Sequence, residues 1–397
     1  MLQRTYQWTT PTGGMRAYVD RKRLAWTLSV LFPLLPILAL VLHLNLGNEA
    51  WLFLPLAVVY VLVPLMDAML GEDASNPPEE VVAELEADAY YRVLLWLTVP
   101  LYFVGLVVTT GYAVSASLSW IGWLGLAYSA GLVGGLAVNT GHELGHKRSP
   151  VDQLFARLAL AVPAYGHFSV EHNFGHHRHV ATAEDSASAR FGESIYRFAG
   201  REMPGGLRRA VAIERSRQHR RGRGFWTVHN EIVQSWMVTL LLQGGLVAWL
   251  GWEALLFLLI HNLVAWWQLT SANYVEHYGL KRARLADGRY ERCRPHHSWN
   301  SNHVVSNLLL FHLERHSDHH AHPQRRYQSL RDFPDLPRLP SGYFGMFVLA
   351  YLPPLWFRVM NPRTLNLPHI GADPSLLNLD PRLKPGLLSG GAVDPSA

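Results

Sequence analysis

From Val93 to Gly141 the chain runs without a single Asp, Glu, Lys or Arg. Hydrocarbon explains so long an uncharged apolar stretch, because a backbone N–H or C=O there must find its partner inside its own helix. The stretch is long enough for two helices joined around Ser115 to Ser119. Leu24 to Leu42 and Trp51 to about Leu70 supply two earlier spans. A second hairpin from Ile232 to about Tyr274, broken near Glu253, supplies two later ones. Charged residues make up 16% of the chain, against roughly 25% in soluble proteins, which agrees with a membrane setting. The expected fold class is an all-α integral membrane protein with six transmembrane helices. The first apolar run follows about twenty polar residues with no small-residue cleavage site after it, so it is expected to be a retained helix, not a signal peptide.

Orientation follows from Lys and Arg near the span ends. Arg16, Arg21, Lys22 and Arg23 precede the first span, whereas the loops Asn45 to Glu49 and Ser115 to Ser119 carry no positive charge. The N-terminal segment 1–23 is therefore expected on the cytoplasmic side. Four spans within 24–141 bring the chain back there, and two more within 232–274 do so again. Residues 142–231 and 275–360 then share that face as a histidine-rich cytoplasmic cap. The tail 361–397 lacks periodicity and is expected to be irregular. The net charge of +5 sits in clusters flanking apolar runs, which favours topology and membrane lipid over nucleic acid as its explanation. Cys293 is the single cysteine, so an iron–sulfur or thiolate-bound iron has to come from another protein.

Three histidine clusters fall in that cap: His142 with His146, His172 with His176 and His177, and His316 with His319 and His320. Helical neighbours three or four positions apart share a face, so each cluster aims two imidazoles at a common point. Eight imidazoles exceed what one metal takes, since a zinc site uses about four ligands, and two metals with open positions fit better. Imidazole alone does not choose among iron, zinc, copper and nickel. Glu143, Glu171, Glu276 and Asp318 stand beside the histidines and are expected to orient their N–H groups.

The runs Asn139 to Lys147, Glu171 to His177, Asn273 to Gly279 and Leu313 to Ala321 resemble the signatures of the membrane alkane 1-monooxygenase (alkane omega-hydroxylase) family. The resemblance takes in Gly71 to Glu80 and covers about residues 20 to 360. That family lies within the three-histidine-box membrane diiron desaturases and hydroxylases. The resemblance implies a ninth ligand, His277, and two iron ions cycling between Fe2+ and Fe3+ with O2 as cosubstrate. It further implies terminal hydroxylation of medium- to long-chain n-alkanes, with rubredoxin and its NAD(P)H-dependent reductase as electron source. No bound flavin, heme or NAD is expected. Glu314 and Ser186 depart from the family pattern, and neither is a proposed ligand.

Competing readings attach to several of these residues. His142-Glu143-x-x-His146 also matches a zinc protease helix, but three ligands leave the other boxes unexplained. A related diiron enzyme acting on fatty acyl chains or alkylaromatics would share the boxes. His312, one turn before His316, is expected to pack or back up a ligand, and His296, His297 and His303 to make structural hydrogen bonds. Asp67 reads as a cap near the end of span two. Val58 and Val59, about two turns before it, are expected on a substrate tunnel. Arg208, Arg209, Arg215, Arg217, Arg220, Arg221 and Arg223 form a stretch that could dock an acidic electron carrier.

Overall fold

The six apolar segments each become a helix long enough to cross a membrane: Thr27–Leu46, Glu49–Leu70, Ala89–Ser115, Trp120–Gly145, Glu231–Leu250 and Trp252–His277. The structure is a computed structural model and describes residues 3–383. Short polar caps start most of these helices. Asp88 accepts the Tyr90 N–H, Ser119 the Gly122 N–H, and Asn230 the N–H groups of Ile232 and Val233, satisfying donors that the first turn leaves open. Gly47 and Gly251, at φ 66° and 90°, make the left-handed turns that close the first and fifth spans.

The fourth span is the hub. Of its most apolar window 72% is buried inside the protein, against 17% for the fifth, which therefore faces lipid. Gly131, Gly134 and Gly135 let it approach the sixth span closely: a Cβ at Gly131 would sit 2.7 Å from the His261 carbonyl oxygen. The fourth span also runs on through His142 to Gly145, and the sixth to His277. Both thus carry histidines on their own ends instead of releasing them into loops. No proline interrupts either end, and the next helix starts only at Pro150, after Ser149.

The N-terminal segment holds an element absent from the all-helical expectation. Residues Arg4–Thr9 and Met15–Asp20 pair antiparallel, Arg4 opposite Asp20, around a turn with Gly13 at φ 82°. Tyr6 is buried beneath this hairpin and its hydroxyl donates to Asp88 at 3.1 Å, while Arg4 and Arg23 pair with the same carboxylate. The hairpin lies against the head of the third span, outside the membrane helices.

The tail is also more ordered than expected up to residue 383. A helix runs Pro353–Leu365, a short one follows at Pro368–Ala372, and Leu377 and Leu379 bridge to Leu280 and Phe191. Its leucines find buried partners, which local periodicity does not reveal. The remainder, 384–397, lies outside the described residues. Asp67 is a cap, though of another element: it accepts the N–H groups of Val305 and Ser306 at 2.8 and 3.2 Å, fastening the helix Val304–Leu309 to the end of the second span.

Candidate metal centre

Nine imidazoles from four separate stretches of chain meet at one end of the helix bundle. The ends of the fourth and sixth spans present His142, His146 and His277. The segment 168–179 contributes His172, His176 and His177, and the helix His316–Ala321 adds His316, His319 and His320. They divide into two groups. His142, His146, His172, His177 and His319 form one, and His176, His277, His316 and His320 the other.

Each adjacent pair is split between the groups. Successive residues on a helix point about 100° apart, so His176 and His177, like His319 and His320, cannot serve one point. His172 and His177, five apart, do share a group. The backbone from His172 to His176 is a π-turn, whose wider winding brings positions five apart onto one face. Spacing left the division between metals open, and of the pairs three or four positions apart that it aimed together, His172 with His176 and His316 with His319 are parted.

Contacts between the rings run through Nε2 atoms. His142 faces His319 at 3.0 Å, His172 faces His177 at 3.0 Å, His319 faces His177 at 3.2 Å, His316 faces His277 at 3.2 Å, and His320 faces His316 at 2.9 Å. The Nε2 atoms of His146 and His176 are buried without any protein partner. Where Nδ1 has a partner, it is an acceptor: His277 donates to the His297 carbonyl oxygen at 3.2 Å and His176 to Asp185 at 2.9 Å. The Nε2 lone pairs of His176 and His277 therefore point inward, where the other Nε2 atoms crowd the same two points. Donors at right angles on a metal with bonds of about 2.1 Å stand about 3.0 Å apart, so the donor set fits two metal ions.

Electrostatics agree. Burial, and then mutual proximity, holds His146, His172, His177, His316, His319 and His320 well below the ordinary histidine range, so they are neutral imidazoles at neutral pH. His176 is the exception. Burial, the largest single influence, would lower it, but the Asp185 carboxylate and the Glu171 charge together raise it.

The carboxylates expected to orient the imidazoles behave otherwise. Glu143 pairs with Lys147 at 3.0 Å and accepts the Tyr327 N–H at 3.2 Å, and Asp318 pairs with Arg325 at 3.0 Å and accepts the Arg331 N–H at 2.9 Å. Both fasten the segment after the third cluster and touch none of the nine rings, because their helical positions turn them away from the metal face. Glu171 reaches the centre only through Arg209, which binds Glu171 and Asp185 together. Glu276 lies 3.4 Å from His316, at Nε2 and not at the outer nitrogen. The carboxylate that does back a ring, Asp185, was missed by sequence reasoning. Its signal was there, an acidic residue nine positions beyond His176, but no helical spacing links the two.

The other histidines take structural roles. His312 donates Nδ1–H to the Tyr327 carbonyl oxygen at 2.9 Å and packs on Trp26. Glu291, His296 and His297 form a third gathering of donor atoms. There His297 Nδ1 accepts the Arg294 N–H at 2.9 Å, which puts the ring proton on Nε2, 3.5 Å from Glu291. That tautomer turns no lone pair toward the group. His303 pairs with the Ser301 hydroxyl at 2.8 Å.

Among the described residues, a cavity and a cleft reach the histidines. An apolar cavity walled by Val59, Leu132, Leu136, Phe168, Phe344 and Phe347 ends against His142, His172, His316 and Glu276. Val58 is not among its lining residues: the second span turns it aside, half-buried. A separate polar cleft of about 500 Å³ reaches His146 and His177 between Lys147, Arg148, Phe174 and Gln324. Of the seven arginines between 208 and 223, Arg209 is spent on the Glu171–Asp185 pair, and Arg217 pairs with Glu214 and Glu231 and lies over Phe174 at 4.1 Å. Arg208, Arg215, Arg220, Arg221 and Arg223 are exposed and make no ion pair among the described residues.

Residues 118–357 match the family model described as fatty acid desaturase. The chain is 54% identical over 350 residues to an alkane 1-monooxygenase of Pseudomonas putida, covering 88% of this chain and 87% of that one. It is 54% identical over 353 residues to alkane 1-monooxygenase 1 of Alcanivorax borkumensis, covering 89% and 87%. More distantly, it is 30% identical over 223 residues to the xylene/toluene monooxygenase hydroxylase component XylM of Pseudomonas putida, covering 55% and 58%.

Proposed function

The chain belongs to the fatty acid desaturase family and, within it, to the alkane 1-monooxygenases, a membrane enzyme that hydroxylates alkanes, and from that premise we propose its finer chemistry. It converts medium- to long-chain n-alkanes to 1-alkanols at two irons held by the nine histidines, with O2 and two electrons from reduced rubredoxin. The observation carrying this reading is the junction of an apolar, membrane-level cavity with the imidazole groups at its end. The proposed location is a bacterial inner membrane, with the N-terminal segment and metal centre on the cytoplasmic side, supported by the Lys and Arg ahead of the first span.

When bound, two iron ions would supply the O2 reduction and C–H cleavage for which no side chain suffices. The chain's residues bind, orient and exclude water. Phe168, Phe344, Phe347 and the aliphatic walls accept hydrocarbon from the bilayer without exposing it to water. Because the cavity ends at His142, His172 and His316, the tip of an extended chain reaches the metals before its middle does. Terminal selectivity is then a matter of position, which overrides the greater strength of the terminal C–H bond. Electrons enter from the other opening. The unpaired arginines and exposed Arg148 give an acidic carrier a positive surface beside the cleft that reaches His146 and His177.

Reconstitution in lipid with rubredoxin and its reductase tests the reading. Octane hydroxylation should vanish when rubredoxin is omitted; a robust rate from NADH without it contradicts the proposed donor. Metal analysis with Mössbauer spectroscopy should find two irons per chain, whereas about one zinc would restore the protease reading. The likeness to XylM favours an alkylaromatic or related substrate as the runner-up, and turnover of p-xylene or an acyl ester in preference to octane would establish it.

A further inference from the structure

After the third histidine cluster the chain comes back alongside the spans. Tyr343–Ala350 is an apolar helix, Tyr351 and Leu352 turn it, and Pro353–Leu365 leads away again. The first of these helices packs against the second and sixth spans, and its Phe344 and Phe347 wall the apolar cavity. Val61 and Leu62, next to Tyr60, and Leu352, next to Tyr351, are exposed apolar side chains, which puts the seam between the second span and this turn on lipid-facing surface.

Polar side chains meet at that seam, where hydrocarbon offers them no other partner. The Tyr60 hydroxyl, midway along the second span, donates to Gln268 Oε1 of the sixth at 2.7 Å. It stands 3.3 Å from the Tyr351 hydroxyl, and the two half-buried rings meet edge to face. Behind them, buried Gln268 and Val59 lie on the cavity wall. The tyrosines thus have the cavity on one side and lipid on the other.

The hydroxyl protons show where the seam parts. Ser271 Oγ donates to the Trp267 carbonyl oxygen at 2.7 Å, so Tyr351 is the donor in its 3.1 Å contact with Ser271. Tyr60 has spent its own proton on Gln268. No proton is left for the contact between the tyrosines, and each ring is tied to the sixth span separately. Parting them costs no hydrogen bond. Tyr60 also sits in the π-turn Val58–Leu62, a widened winding of the kind that marks working sites in helices.

We propose that this seam is the hydrocarbon's entrance from the bilayer, with Tyr60 and Tyr351 as the two leaves of its gate. This rests on the reading of the cavity as the alkane site. The gate governs capture of a chain, whereas Val59 and the other walls govern how far a captured chain extends.

The full-length enzyme in lipid with its electron donors tests this. Absence of octane hydroxylation in wild type would sink the alkane reading itself. Given that activity, Tyr60→Phe frees one leaf from Gln268 and should raise kcat/KM for hexadecane about two- to tenfold, through KM and not kcat. A second arm starts from Cys293→Ser, which removes the one cysteine. There Tyr60→Cys and Tyr351→Cys, bridged by a short bis-methanethiosulfonate linker and checked by mass, should lose octane turnover and regain it on reduction. Either cysteine alone, treated alike, should stay active. A lower kcat with unchanged KM in Tyr60→Phe marks a mere structural tie, and that result or undiminished turnover in the bridged protein would overturn the gate.

Discussion

His176 differs from the other eight histidines in what stands behind it. Asp185 holds its Nδ1, and Arg209 braces Asp185 against Glu171. Replacing Asp185 with Asn keeps the shape but removes the negative charge that makes the imidazole a stronger donor. Asp185→Asn should therefore weaken metal retention at the four-histidine group about 10- to 100-fold, read as metal content after dialysis against a graded chelator. Val59 tests the cavity. Its side chain is 1% exposed and lines the apolar wall, so Val59→Trp should shift the product profile to shorter alkanes, whereas Val58→Trp should leave it alone. Gas chromatography of products from hexane to hexadecane decides, and an unchanged Val59→Trp profile rejects the tunnel. Glu202 sets a pH dependence. Burial pushes its carboxyl up to about 7, with Thr270 and Asn273 opposing and the Glu171 charge adding to the rise. Between the ordinary Glu range and about pH 7 the folded protein holds a proton that the unfolded chain has lost, so stability falls as pH rises through that window. The loss is at most about 3 kcal/mol, and Glu202→Gln should flatten the thermal unfolding midpoint across pH 5 to 7.5.

Helix ends and turns decide what the residues can reach. The six spans were legible because uncharged length is a signal that hydrocarbon imposes, and the three histidine clusters because their spacing repeats a helical face. The π-turn at His172 to His176 was not legible, since nothing in the local composition separates it from an α-helical turn, and with it went the grouping of His172 with His177. The Arg4 to Asp20 hairpin escaped for a related reason: its stability comes from Tyr6 and Arg23 meeting Asp88, some eighty residues away in the case of Tyr6. Packing between spans four and six is likewise a tertiary fact. At Gly131 a Cβ would press on the backbone of His261, but at Gly111 it would meet nothing within 4 Å. Gly131→Ala should therefore destabilise by about 1–3 kcal/mol as the helices are forced apart, while Gly111→Ala should be neutral or stabilise slightly. Thermal unfolding in detergent compares the two, and equal midpoints would refute the close approach.

Across the whole molecule, the metal centre ties together stretches that a membrane hairpin separates in sequence. Spans four and six, the segment 168–179 and the helix His316–Ala321 all deliver Nε2 atoms to it. Metal bound to the folded form alone stabilises by about 3 kcal/mol per site at a hundredfold excess over its dissociation constant. Chelation should accordingly lower the unfolding midpoint and restore proteolytic access to residues 172–190 and 316–330. An unchanged midpoint would mean that the imidazoles are prearranged without metal. The alternating doublets have one further consequence. His176 and His177 belong to one short turn but to different groups, as do His319 and His320, so each pair would act as a yoke across two ions bound there. Covalent backbone would then help to set the separation of the two ions. A shift of either ion toward a reacting molecule would drag on the other, making the pair one mechanical unit even where no ligand is shared.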